Sequence, residues 1–246
     1  MTPPARDVGR DIRRILVIRR KALGDALVTM PAVLQLTRSF PGARVDLIID
    51  GPFVPLLERA GDRVEVISWP PPGGASLWSW TSFLRRRGYD LVLDFLGSPR
   101  TAVWTALSGA PLRVGYDLGL RGWAYNLKAP RNREGDFALR QFAGESFLDP
   151  LRAIGLFPGP WRVGGDLRPL PDDLGNEYLE WVQSIRAGGT STVGIMLSAT
   201  WAAKAWPAAH GAELMRLLRG RGMRPLLIPG PGDEEIQTIN WSRREN

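Results

Sequence analysis

A chain of 246 residues with 44% hydrophobic content has the apolar share of a globular protein and room for one large domain or two modest ones. It holds no cysteine and one histidine, His210, which excludes disulfides and thiolate metal sites and leaves any histidine-based site to a single residue. A formal charge of +7, nearly all of it arginine, suits nucleic acid, an anionic membrane surface or a phosphorylated substrate without choosing among them.

Nothing in the sequence approaches the roughly 20 apolar residues of a membrane span. Met1 to Arg14 is polar, rich in arginine and proline, and lacks the apolar centre of a secretory signal. A cytoplasmic location is expected, with a peripheral attraction to membrane.

The apolar run Ile15-Leu16-Val17-Ile18 predicts a strand buried on both faces, as in a parallel sheet. A turn through Gly24 and a helix to Phe40 follow, with Pro31 marking a kink or the first turn. Val45 to Ile49 predicts a second buried strand. Phe53 to Ala60 reads as a short helix, Arg63 to Trp69 as a strand, and Pro70 to Gly74 as a loop. Leu77 to Arg87 predicts a helix with a basic end, suited to its C-terminal dipole. Leu91 to Phe95 is a third apolar run, followed by a helix over Thr101 to Ser108 and a short strand at Arg113 to Tyr116.

From Arg121 to Gly144 the pattern is irregular, and Gly144 to Ile154 reads as a helix. Residues 157–171 are rich in Gly and Pro and predict a linker. Beyond it, a helix at Asp172 to Ile185, a strand at Thr192 to Leu197, a helix at Ala208 to Gly220 and a strand at Pro225 to Ile228 restart the alternation. The expected fold class is therefore α/β, with two Rossmann-like domains: residues 1–156, then the linker, then a partial second domain over 172–246.

Three loops carry chemistry, each after a predicted strand, where ligands bind in open α/β sheets. In Leu23-Gly24-Asp25, Gly24 lets the backbone approach a ligand, and the helix N-terminus favours negative charge on Asp25. Such a carboxylate can act as general base on a hydroxyl. It can equally be a helix N-cap, and the residues alone leave both open. In Ser198-Ala199-Thr200-Trp201-Ala202-Ala203-Lys204, hydroxyls and one ammonium between strand and helix suit a phosphate, although the spacing is not that of a Walker loop. After Gly230-Pro231-Gly232, Asp233, Glu234 and Glu235 offer carboxylates for ribose hydroxyls or simply an acidic helix start.

Trp78 and Trp104 fall in predicted helices and are expected in the core. Trp69 and Trp80 have no assignment from sequence. Arg85 to Arg87 fit either a solvated helix end or a contact with anionic groups. Nucleic-acid binding would rest on charge alone, without the motifs of known modules, and is not expected.

Taken together, the stretch from Ile15 to Ile49, "ILVIRRKALGDALVTMPAVLQLTRSFPGARVDLII", resembles the N-terminal signature of glycosyltransferase family 9, the ADP-heptose:lipopolysaccharide heptosyltransferases. The stretches "YDLVLDFLGSPRTAVWTALSGAPLRVGYD", "VGIMLSATWAAKAWPAAHGAELMRLL" and "LLIPGPGDEE" resemble the family's later segments in the same order, so the resemblance covers most of residues 13–235. It implies a GT-B fold, two Rossmann-like domains facing a cleft, with the second domain C-terminally truncated. It implies inverting transfer of heptose from ADP-heptose to the lipopolysaccharide inner core, with no metal and no further cofactor. Asp25 matches the family's general base. Ser198, Thr200 and Lys204 match the donor diphosphate site, Glu234 the residue near the adenosine ribose, and Lys21 and Gly24 fall at the acceptor. Another nucleotide sugar, or a non-catalytic fragment that binds an acceptor or partner, are the alternatives.

Overall fold

The computed structural model describes residues 11–57, 62–130, 143–160, 176–196, 199 and 205–228. The chain divides into two compact units, Met1–Pro169 and Leu170–Asn246.

The first unit is built on a parallel sheet of six strands: β1 (Arg14–Ile18), β2 (Arg44–Asp50), β3 (Val64–Trp69), β4 (Leu91–Asp94), β5 (Leu112–Tyr116) and β6 (Leu127–Ala129). Their order across the sheet is β3-β2-β1-β4-β5-β6, and every neighbouring pair is parallel. Four helices connect the first five strands: α1 (Leu23–Ser39), α2 (Val54–Leu57), α3 (Leu77–Arg87) and α4 (Pro99–Leu107).

The apolar runs explain this arrangement. Alternate residues of a strand point to opposite faces, so a strand with no polar alternation must be covered on both. Ile15 and Val17 of β1 join Val45, Leu47, Leu91 and Leu93 on one face, packed with Met30, Val33 and Leu36 of α1. Leu16 and Ile18 join Ile48 and Val92 on the other, packed with Trp80 and Leu84 of α3 and Trp104 of α4. Trp69, at the end of β3, lies 4.4 Å from Trp104 and 4.7 Å from Trp80 between ring centroids, so three tryptophans close this second layer.

Local sequence sets the helix ends. Ser76 caps α3 by accepting from the Ser79 N–H at 3.1 Å, and Gly88, at φ 62°, ends it in the left-handed conformation that glycine tolerates. Ser98 and Thr101 form a reciprocal capping box on α4. Pro31 lies in the interior of the continuous helix α1, not in its first turn.

Several expectations change. The segment read as irregular holds a 3-10 turn at Gly119–Ala124 and the sixth strand, β6. The single helix expected over 144–154 is two short ones, Ala143–Ser146 and Asp149–Ala153. The helix expected from Phe53 begins as a 3-10 turn at Gly51–Phe53, with α2 after it. Trp104 is buried as expected, but Trp78 is 77% exposed. Trp80, Thr81 and Leu84 take the inward face of α3, and Trp78, two residues before Trp80, falls on the opposite side of a 3.6-residue helix.

The basic end of α3 also divides. Arg87 turns inward, donating to Asp46 of β2 at 2.8 Å and to Glu65 of β3 at 2.7 Å, while the Tyr89 hydroxyl donates to the same Asp46 oxygen at 2.6 Å. Burial raises the Tyr89 pKa, and the charge of buried Asp46 and its hydrogen bond from the phenol raise it further.

In the second unit, β7 (Thr192–Ile195) and β8 (Arg224–Leu227) pair in parallel, Ile195 opposite Leu227. Helices Asn176–Ala187 and Ala208–Gly220 accompany them. The α/β class expected from the sequence holds in both units.

Arg87→Ala removes the cation that pairs with the buried Asp46 carboxylate. It should cost about 2 kcal/mol, below the 3–5 of a fully buried pair because Arg87 is partly solvated. Arg85→Ala should stay within about 0.5 kcal/mol of wild type in urea melts. Equal costs would contradict the division within the run.

Candidate functional site at the switch point of the sheet

Strand order reverses between β1 and β4, and the crevice outside the carboxyl ends of those strands is where open α/β sheets bind ligands. Ile18 pairs with Asp94 at that edge, so Arg19, after β1, and Phe95, after β4, stand side by side. The Arg19 guanidinium is buried there. Its Nη1 donates to the Phe95 carbonyl at 2.7 Å and its Nη2 to Oδ2 of Asp25, and its plane lies 5.1 Å from the centre of the Phe147 ring. Charge-assisted bonds of this kind are stronger than neutral ones and fix geometry.

Asp25 is not the N-cap of α1. Ala22 is, with extended backbone and its carbonyl accepting the first helical bond from Ala26 at 2.9 Å. Asp25 therefore sits inside the first turn, where the positive end of the helix dipole favours its charge. Its backbone carbonyl accepts from the Thr29 hydroxyl at 2.7 Å. The side chain is 52% exposed. Among the described residues only Arg19 bonds its carboxylate, at Oδ2, which leaves Oδ1 without a described hydrogen bond.

Gly24 and Lys21 are exposed beside it. A Cβ built on Gly24 would enter open space, so packing does not demand glycine there, and the backbone is open to a ligand. The three basic residues before the turn divide. Arg20 pairs with Asp50 at 3.0 Å and lies over Trp69 and Trp104, at 5.6 and 5.7 Å. With Arg19 on Asp25 and Arg20 on Asp50, Lys21 is the exposed cation of the three.

The β4 side of the crevice is held by Asp94. Its Oδ1 accepts from the N–H groups of Leu96 and Gly97 at 3.0 and 2.9 Å, and its Oδ2 from the Tyr125 hydroxyl at 2.8 Å. Gly97, at φ 63°, lets the turn fold back over the carboxylate. Arg121 donates to the Gly97 carbonyl at 2.7 Å, tying the 119–124 turn to the same loop. Burial pushes the Asp94 carboxyl above its ordinary range, and the bonds from Gly97, Thr101, Tyr125 and Leu96 oppose it. Below the loop, Glu145 and Asp149 pair with Arg152 at 3.0 and 2.7 Å, and the Tyr116 hydroxyl, at the end of β5, donates to the Ser146 carbonyl at 3.2 Å.

Sequence reasoning missed the Arg19 clamp, the Asp94 turn and the Phe147 contact. Asp94 had a readable signal, a lone acid closing an apolar strand three residues before a glycine. Phe147 had none, since it reaches Arg19 from a distant segment.

The donor residues expected from sequence, Ser198, Thr200, Lys204 and Glu234, lie outside the described residues. They follow β7 and β8 in the chain, and those strands are parallel, so both end at one edge of their sheet.

A parallel sheet in the order 3-2-1-4-5-6 with polar groups at its switch point defines a Rossmann-type unit. No family model matches the chain. In sequence it is 28% identical to lipopolysaccharide heptosyltransferase 1 of Pseudomonas aeruginosa over 85% of this chain and 59% of that protein. It is 25% identical to lipopolysaccharide heptosyltransferase 1 of Escherichia coli K12, over 90% of this chain and 70% of that protein. The chain thus spans about three fifths of the first relative's length. In fold it is similar to a family 9 glycosyl transferase from Veillonella parvula, with TM-score 0.61 at 19% identity over 92% of this chain and 65% of that one. It is also similar to E. coli heptosyltransferase WaaC with ADP-2-deoxy-2-fluoro heptose, with TM-score 0.57 at 24% identity over 91% and 71%. The chain resembles the family 9 glycosyltransferases in both sequence and fold.

Asp94→Asn keeps an acceptor for the two N–H groups and should stay within about 1 kcal/mol of wild type, whereas Asp94→Ala leaves them unmet and should lose about 3 kcal/mol. The raised Asp94 carboxyl sets a sign. Its contribution is full below the ordinary carboxylate pKa and is lost as pH rises through its folded value. Urea midpoints should therefore favour Asp94→Asn over wild type increasingly with pH across that window, and a flat difference would contradict the assignment.

Proposed function

We propose that this chain acts as a glycosyltransferase moving heptose from ADP-heptose to a hydroxyl of the lipopolysaccharide inner core, with inversion, on the cytoplasmic side of the inner membrane. The observation that carries the reading is the Asp25 carboxylate at the β1–β4 switch point, one oxygen held by buried Arg19 and the other open. The likeness to heptosyltransferases in sequence and fold supports it.

In this reading residues 1–156 take the acceptor and residues 172–246 the donor. Oδ1 of Asp25 accepts the proton of the acceptor hydroxyl as its oxygen attacks the anomeric carbon. The bond from that carbon to the diphosphate breaks on the opposite face, and the electron pair leaves on ADP. The Lys204 ammonium and the Ser198 and Thr200 hydroxyls stabilise the charge that develops there. Glu234 accepts from the ribose hydroxyls, and Lys21 meets the anionic acceptor beside Gly24. Arg19 sets the orientation of the base through Oδ2 without touching the reacting atoms.

Asp25→Asn should lower transfer, followed as ADP release, by about 10²–10⁴-fold while the rise in melting temperature caused by ADP is kept. Wild-type turnover in that variant would remove Asp25 from the mechanism. Lys204→Ala should erase the ADP-induced rise, because a ligand stabilises only through the affinity it has for the folded state. An undiminished rise would remove Lys204 from the donor site. A cooperative wild-type melt that ADP does not move would favour a non-catalytic fragment.

A further inference from the structure

The face of the first unit opposite α1 is covered by α3 and α4. Between Pro70 and Tyr89, and again between Phe95 and Tyr116, the sequence has no aspartate or glutamate. Both helices thus carry charge of one sign only. Arg87 is spent on Asp46 and Glu65, but Arg85 and Arg86 are exposed and make no ion pair with any described residue. Arg86 donates only to the Ser82 hydroxyl, at 2.7 Å. These arginines end an open groove of about 360 Å³ lined by Trp78, Thr81, Ser82, Arg85, Arg86 and Leu107.

Large apolar side chains stand out of the same layer. Trp78 is 77% and Leu77 45% exposed on α3, and Leu120 and Trp123 are 96% and 64% exposed on the 119–124 turn. That turn packs on α4 through Ala102, Ala106, Ala124 and Tyr125. An indole favours a boundary where its ring is shielded and its N–H stays wet, and guanidinium groups bind phosphates in pairs of bonds. Basic residues near an anionic bilayer each add to binding. Exposed leucine and tryptophan gain from burial among headgroups and little from a nucleic-acid backbone.

We infer that the α3–α4 face is a membrane-docking surface, laying Trp78 into the interface of an anionic bilayer with Arg85 and Arg86 on lipid phosphates. The inference stands on this surface and does not require the transfer reading.

Co-sedimentation of the full chain with vesicles tests it. Wild type should pellet with equimolar phosphatidylcholine and phosphatidylglycerol, less so as salt rises, and only weakly with phosphatidylcholine alone. The double variant Arg85→Glu with Arg86→Glu should lose roughly thirtyfold or more in partitioning, on the ordinary worth of two basic residues at such a surface. Trp78→Ala should lose several-fold at any salt. Arg216→Glu with Arg219→Glu makes the same change in net charge on the second unit and should change little. These side chains are exposed, so an unchanged melting temperature verifies the fold of each variant. Absence of pelleting, or equal losses in the two double variants, overturns the proposal. So does a result in which the Arg85/Arg86 variant keeps vesicle binding and loses duplex nucleic acid, which would reassign the face.

Discussion

The Arg19 guanidinium donates to the Phe95 carbonyl, which belongs to the neighbouring strand end, and to the Asp25 carboxylate, which belongs to the following helix. One buried charge thereby ties three chain segments at the place where the strand order reverses. A guanidinium taken out of water must find its bonds inside the protein, so its burial and its partners are one requirement. Phe147 closes the fourth side with its ring. The geometry of Asp25 follows. Without that clamp a half-exposed carboxylate in a first helical turn would be one surface acid among many. With it, one oxygen is fixed and the other is left without a described hydrogen bond.

Much of this fold was legible because its strands are buried on both faces. Ile15 to Ile18 and Leu91 to Leu93 have no polar alternation, and only a covered parallel sheet explains that. β6 was not legible. It has three residues, pairs with β5 alone, and carries an exposed Lys128 at its centre. The helix expected over 144–154 breaks at Phe147 and Leu148, just before Pro150, whose place in the first turn of the second helix was a readable start signal. The position of Trp78 could have been read, since helical spacing separates it from Trp80 and Leu84. At the site, the residues of the β1 turn were visible in the sequence, but their division of labour was not. Whether Asp25 capped the helix or stood inside it is a difference of three residues, within the error of any sequence-based helix boundary. That Arg19 serves Asp25, six residues on, and Arg20 serves Asp50, thirty residues on, leaving Lys21 exposed, depends on side-chain contacts that the order of residues does not fix.

Part of the positive charge is likewise sorted. Arg19, Arg20, Arg87 and Arg152 each hold a carboxylate and stabilise the first unit or its site. Lys21, Arg85 and Arg86 are exposed in two places, one at the switch point and one on the α3–α4 face. A basic isoelectric point alone could not separate these groups. Partner by partner, the structural cations and the outward-facing ones are distinct.

The claim at the centre of this account is that an acceptor hydroxyl meets Asp25 at the β1–β4 switch point. The most direct measurement is a crystal structure of the full chain with ADP and an inner-core sugar acceptor. The account predicts a sugar hydroxyl oxygen about 3 Å from Oδ1 of Asp25, with Oδ2 still on Arg19, as proton abstraction requires. A sugar bound away from that edge, with Asp25 touching Arg19 alone, would contradict it.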